Sequence, residues 1–285
     1  MRIHHLNCGS MCPPFTRWPG GKGGALGRGN MVCHCLLLET EDGLALVDTG
    51  LGTRDLAHPV RRLGASFVAM TAPVLSQQET ALAQVARLGF KRSDVRHLFP
   101  THLDLDHTGG FADFPEATVH VYGPEQRAAL APASYRERRR YRAVHWEHRP
   151  HWLPHELGGE HWLGFESVRA LAGSKDEILF VPLLGHTRGH CGVAVKTEHG
   201  WLLHAGDAYF AHSEVHGRPA QCPPVLDVFQ RAVAIDDASR RTNQARLREL
   251  STTHREVHIV CAHDASELRA AVRTSPGMSA SSATA

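Results

Sequence analysis

No stretch of this 285-residue chain approaches the ~20 consecutive apolar residues that a transmembrane helix needs. Met1-Arg2-Ile3-His4-His5-Leu6 enters a strand-like pattern without the basic and apolar regions of a secretory leader. Large charge imbalance is also missing: the formal net charge is +2 and says little about partners. No G-x-x-x-x-G-K-[ST] is present, so the glycines between Trp18 and Gly27 are not a phosphate-binding loop. The seven cysteines are odd in number, and Cys8, Cys12, Cys33 and Cys35 lack zinc-finger spacing. This usage predicts reduced thiols in a cytoplasmic protein. With 42% hydrophobic and 21% charged residues, the chain reads as an ordinary soluble globular sequence. Its length predicts one large α/β domain over 1–273, followed by a disordered tail of small polar residues over 274–285.

Histidine, by contrast, is abundant, with 22 residues. Four side chains able to bind a metal, His102, Asp104, Asp106 and His107, fall just after the apolar run Val95-Arg96-His97-Leu98-Phe99. Such a run predicts a buried strand, which places these residues where the strand ends and the chain turns. Imidazole nitrogen and carboxylate oxygen suit divalent transition metals, and Gly109-Gly110 permit a tight exit. Further donors follow other predicted strands. His186 and His190 lie in Gly185-His186-Thr187-Arg188-Gly189-His190, Asp207 follows Trp201 to Gly206, and His263 follows Val257 to Ala262. Residues that converge on one edge of a sheet from distant strands are a common way to build an active site on an α/β scaffold.

The order of these elements resembles the metallo-β-lactamase superfamily, whose signature is H-x-H-x-D-H followed by a G-H-T-x-G-H-like turn, an Asp after a strand and a final His. The resemblance covers nearly the whole chain. It implies an αββα sandwich, two mixed β-sheets with helices on the outer faces, and two divalent metal ions. Carried over by position, His102, Asp104 and His190 hold one ion, Asp106, His107 and His263 hold the other, and Asp207 bridges them. His186 and Asp48 are then supporting residues behind the ligands. One departure stands out, because Asp104 occupies the place of the signature's second histidine. A third carboxylate lowers the residual positive charge of the cluster and makes harder ions such as Mn or Fe possible beside Zn, which remains the expected metal. Alternatively, Asp104 does not ligate.

The resemblance implies a hydrolase in which a metal-bridging hydroxide attacks a lactone, ester or thioester. Asp106 or Asp207 would relay the proton, and Tyr209 would donate to the developing oxyanion. A di-iron redox protein remains open because of Asp104, as does a degenerate site that only binds or senses. The basic run from Arg136 to Trp152 offers a phosphodiesterase or nuclease reading, but basic residues interleaved with aromatics are more often a solvated helix with anchors in the core, and nucleic acid is not the favoured partner. A small-molecule substrate is expected and no membrane, while a homodimer is left open. Predicted strands are 2–8, 31–39, 43–48, 95–100 and 118–122, with more over 160–207. Predicted helices are 54–64, 79–89, 239–250 and 265–272, and another opens at Pro124-Glu125.

Overall fold

The computed structural model describes residues 1–13, 28–171 and 174–274. The glycine-rich stretch from Trp18 to Gly27 and the tail after Thr274 lie outside the described residues. Among the described residues, twelve strands form two six-stranded sheets. The first sheet contains β1 (Arg2–Met11), β2 (Met31–Thr40), β3 (Gly43–Val47), β4 (Val95–Phe99), β5 (Thr118–Tyr122) and β6 (His151–His155), in that spatial order. The second contains β7 (Glu160–Trp162), β8 (Phe165–Arg169), β9 (Ile178–Pro182), β10 (Cys191–Thr197), β11 (Gly200–His204) and β12 (Val257–Val260), also in chain order across the sheet. Both sheets are mixed. β1 to β3 are antiparallel and β3 to β6 parallel, whereas in the second sheet only the β11–β12 pair is parallel.

The strands read as nearly continuous apolar runs because both of their faces are buried. Leu36, Leu38, Ala45, Val47 and Phe99 point between the sheets, where they meet Ile178, Phe180, Val193 and Val195. The alternate residues Leu37, Leu44, Leu46 and Leu98 pack outward with Val85. On the other side Leu179, Val181, Leu203 and Ile259 pack with Leu247 and Leu250 of the helix Asp237–Thr253. This is the αββα sandwich. The expected helix over 54–64 is in fact two, Thr53–Ala57 and Pro59–Leu63. Pro59 has no N–H to continue the first helix, and it starts the second where that donor is not needed.

Strand register determines which residues meet. Val47 pairs with Phe99 in parallel, so the chain leaves β3 at Asp48 beside its exit from β4 at Pro100 and Thr101. His204 pairs with Val260 in the same sense, and antiparallel pairing sets Val193, near the start of β10, beside His204. The segments around His190, Asp207 and His263 therefore leave the second sheet along one edge. Cys191 N–H donates to Thr101 C=O at 3.0 Å, joining that edge to the exit of β4.

Candidate metal centre

Six of the seven expected ligands, and one residue expected only in support, come together at this edge. His102, Asp104, Asp106 and His107 follow β4 in the first sheet, while His186, Asp207 and His263 come from the second. Asp104 stands at the N-terminus of the one-turn helix Leu105–Thr108, but its side chain makes no capping bond. Its Oδ2 lies 3.1 Å from His186 Nε2 and 3.4 Å from His102 Nε2. Asp207 Oδ2 faces the same two rings, at 3.4 Å from His186 and 3.9 Å from His102. The other oxygen, Asp207 Oδ1, lies 3.1 Å from His263 Nε2 and 3.3 Å from His107 Nε2. Asp106 Oδ2 completes that second group, 3.6 Å from His263 Nε2. The two oxygens of one carboxylate thus each look into a separate set of donors.

The rings are aimed from behind through their other nitrogens. His107 Nδ1 meets Asp48 Oδ2 at 2.8 Å, and His263 Nδ1 meets Val32 C=O at 2.8 Å. Both contacts favour the tautomer whose Nε2 lone pair faces the cluster. Asp48 also accepts from Thr101 N–H at 2.8 Å and from the Thr101 hydroxyl at 2.9 Å. It sits in the left-handed region with φ 55°, which Asp tolerates better than most residues. Gly109 is required by crowding more than by a turn, since a Cβ there would lie 2.0 Å from Asp55 Oδ2 and 2.6 Å from Gly50 C=O.

The donor set fits divalent cations. Among the described residues, His102 Nε2, His107 Nε2 and Asp207 Oδ1 are buried without a hydrogen-bond partner, and each faces the others. Orphaned polar atoms of this kind cost about 1–3 kcal/mol each unless something binds them. Burial disfavours the charged form of Asp207, yet His263, His107 and His186 outweigh it and hold the carboxyl well below its usual range. Asp104 behaves likewise: burial opposes its charge, and Arg140 and then His102 overcome that. Burial disfavours charge on His107 as well, but Asp48 and Asp207 push its pKa well up. A cluster that keeps Asp104 and Asp207 ionised and draws protons to His107 and His263, while burial and then Arg140 lower the His186 pKa to about 4, is short of positive charge, and metal ions supply it.

Two expectations are displaced. His190 is not directed into the cluster, because its Nδ1 bonds to Leu183 C=O at 2.9 Å and its Nε2 accepts Asp207 N–H at 2.9 Å. With both nitrogens occupied by backbone, this ring props Asp207, while His186 presents Nε2 to the donors. Gly206 makes the propping contact feasible: it has φ 54°, and a Cβ there would lie 2.7 Å from His190 Nε2. Tyr209 is also elsewhere. Its side chain is fully buried and its hydroxyl donates to Glu267 at 3.0 and 3.1 Å, so it offers nothing to an oxyanion.

Three further residues at the site were not among the expected ligands or supports. Cys33 lies close to Asp106 and His263. Glu125 is buried, accepting Leu103 N–H at 2.9 Å and the Tyr141 hydroxyl at 3.1 Å on one oxygen. Its other oxygen accepts the Thr187 hydroxyl at 2.7 Å and Gly189 N–H at 3.0 Å. The carboxylate therefore ties the loop of His102 to the turn of His186. Arg140 places Nε 3.5 Å from Asp104 Oδ1.

A model of the metallo-β-lactamase superfamily matches residues 28–263. The chain belongs to that superfamily. Relatives of this metallo-β-lactamase-type chain include a protein named probable metallo-hydrolase from Mycobacterium tuberculosis, 43% identical over 265 residues, 93% of this chain and 80% of that one. An N-acyl homoserine lactonase of Bacillus cereus is 27% identical over 177 residues, covering 61% of this chain and 62% of the lactonase. Among solved structures, an N-acyl homoserine lactone hydrolase with N-hexanoyl-L-homoserine at its catalytic metal centre has a TM-score of 0.69 at 20% identity, covering 94% of this chain and 95% of the other. At that identity the likeness is one of fold. Superfamily membership and the donor set together identify a metallo-hydrolase with a centre suited to two divalent ions. No helix among the described residues is long and apolar enough to cross a membrane.

Proposed function

We propose that this metallo-hydrolase opens a carboxylic ester bond, a lactone, ester or thioester, in a small molecule. The observation that carries the proposal is Asp207, whose two oxygens each face a separate group of donors. By this reading His102, Asp104 and His186 hold one ion and Asp106, His107 and His263 the other, with Asp207 common to both. When bound, two such ions polarise a carbonyl and make water acidic enough to attack it at neutral pH. Zn suits both sets, and the carboxylate of Asp104 makes the first set hospitable to Mn or Fe as well.

The chain's own residues divide the remaining work. Asp48, His190 and the Val32 carbonyl fix the direction of His107, Asp207 and His263, so the donors need little reorganisation. Proton transfer to the departing alkoxide or thiolate falls to Asp106 rather than Asp207. Each oxygen of Asp207 faces two ring nitrogens, whereas Asp106 Oδ2 faces His263 alone and Asp106 is the more exposed, 8% against 4%. The similarity to N-acyl homoserine lactonases supports an ester-type bond. The nuclease reading loses support because Arg136, Arg140 and Arg142 of the basic run donate to protein carbonyls, leaving them committed.

Metal analysis of protein purified without added ions, with a panel of lactones, thioesters, β-lactams and phosphodiesters assayed on the wild type and on Asp207→Ala, tests this reading. Two equivalents of metal and lactone or ester turnover that vanishes in the variant support it. Turnover that survives in Asp207→Ala places the chemistry elsewhere.

A further inference from the structure

Asp104 and Arg140 are 36 positions apart in the sequence and come from different elements. Asp104 follows β4, and Arg140 is the last residue of the helix Tyr135–Arg140, part of the basic run that the hydrolase reading leaves without a role. Their side chains are largely shielded from solvent, with exposures of 16% and 12%, and Arg140 Nε lies 3.5 Å from Asp104 Oδ1. That oxygen has no hydrogen-bond partner, while Oδ2 of the same carboxylate faces His102 and His186. The carboxylate is thus divided between the donor cluster and one guanidinium. Among the described residues, no other acidic side chain lies within ion-pair distance of Arg140. Its remaining donors hold the chain beside the site: Nη1 donates to His186 C=O at 2.7 Å and Nη2 to Val233 C=O.

We propose that Arg140 is the counter-charge that allows Asp104 to stand where the superfamily signature has a neutral histidine, so that the pair acts as one electrically neutral donor at the first ion. The proposal rests on the reading of Asp104 as a ligand. Charge counting supports it. Two divalent ions and the two carboxylates of the usual set leave two positive charges, the third carboxylate here reduces that to one, and the guanidinium restores it to two. An arginine suits the task because its charge is permanent and its planar fork can hold a carboxylate and two carbonyls together. Arg140 is accordingly a positioning residue that acts through the charge of Asp104.

Competition for Zn against a chromophoric chelator, on the wild type, Asp104→His, Arg140→Gln and the double variant, tests the pairing. Asp104→His alone leaves the guanidinium facing the ion without its partner and should weaken the first Zn by about tenfold or more, the scale of an uncompensated charge at short range. Adding Arg140→Gln to that variant should recover most of the loss, and Arg140→Gln alone should not weaken binding. Urea unfolding in excess chelator records any loss of folding separately. If Arg140→Gln weakens Zn by the same factor whether residue 104 is Asp or His, the arginine is only a strap for the His186 turn and the pairing is wrong. If the wild type takes up no Zn, Mn or Fe, the metal reading itself has failed, and that outcome is distinct from the previous one.

Discussion

Glu125→Ala should be among the most damaging single changes outside the ligand set. The carboxylate is 1% exposed and receives four donors, Leu103 N–H, Gly189 N–H, and the hydroxyls of Thr187 and Tyr141. The hydroxyls can rotate toward other acceptors once it is gone, but the two backbone N–H groups are fixed by the loops that carry them. Each buried N–H left unsatisfied costs about 1–3 kcal/mol, so the variant should lose roughly 2–6 kcal/mol. That is a large share of the ~5–15 kcal/mol typical of a domain. Glu125→Gln keeps one carbonyl oxygen and should lose about half as much. Urea unfolding with a chelator present measures the folding term alone, and a metal titration then reports the second effect. Leu103 and Gly189 adjoin the segments that bear His102 and His186, so Zn should bind more weakly even under conditions where the variant is folded. A loss below about 1 kcal/mol in Glu125→Ala would refute the reasoning, since it would mean that water or a neighbour replaces the carboxylate freely.

Exchange of roles between two histidines gives a direct comparison: His186→Ala should remove the first ion while leaving the second, whereas His190→Ala should lower stability by about 1–3 kcal/mol by freeing the Asp207 N–H. Metal stoichiometry that drops in His190→Ala and not in His186→Ala would restore the assignment read from the sequence. Tyr209→Phe should cost roughly 1–2 kcal/mol in thermal or urea unfolding with kcat unchanged, because its hydroxyl serves Glu267 and not the substrate; a hundredfold fall in kcat would contradict this. The ladder His97, His120 and His155, linked ring to ring at 3.0 and 3.1 Å, should make stability acid-sensitive. Burial, then His97 and His155, lower the His120 pKa to about 3. The unfolded chain, with a pKa near 6.5, therefore binds more protons, and this group's contribution is intact above pH ~6.5 and is lost as pH falls toward 3, by about 1.4 kcal/mol per unit. The urea midpoint of His120→Gln should fall less steeply than the wild type over that range, and identical slopes would argue against the ladder.

Much of the centre was legible because strand-end donors are a local signal: an apolar run followed by His or Asp tells where the chain turns, and sheet pairing brings such ends together. What the letters could not show was direction within a turn. Gly185-His186-Thr187-Arg188-Gly189-His190 contains two equivalent imidazoles, and the choice depends on the three-dimensional path between β9 and β10. His190 directly precedes β10, where the Leu183 carbonyl and the Asp207 amide capture its ring, leaving His186 to face Asp104 and Asp207. Tyr209 failed for a related reason, since two residues beyond Asp207 the chain has already turned toward Glu267. Glu125 and Arg140 were invisible because their partners lie across the fold, and an acid near a helix start or an arginine in a basic run usually meets solvent. The division of the predicted helix at His58 and Pro59 could have been read, as the proline was in plain view.

The donors come from both sheets, the His102 to His107 segment from one and His186, Asp207 and His263 from the other. Ions seated there would act as rivets across the seam between the two halves, and their affinity would appear directly in resistance to unfolding, rising as RT ln(1 + [M]/Kd) with free metal. Chelation should therefore do more than silence the enzyme. It should loosen the sandwich at its catalytic rim first, so that amide exchange accelerates around Thr101 and Cys191 before it does at the far ends of β4 and β10.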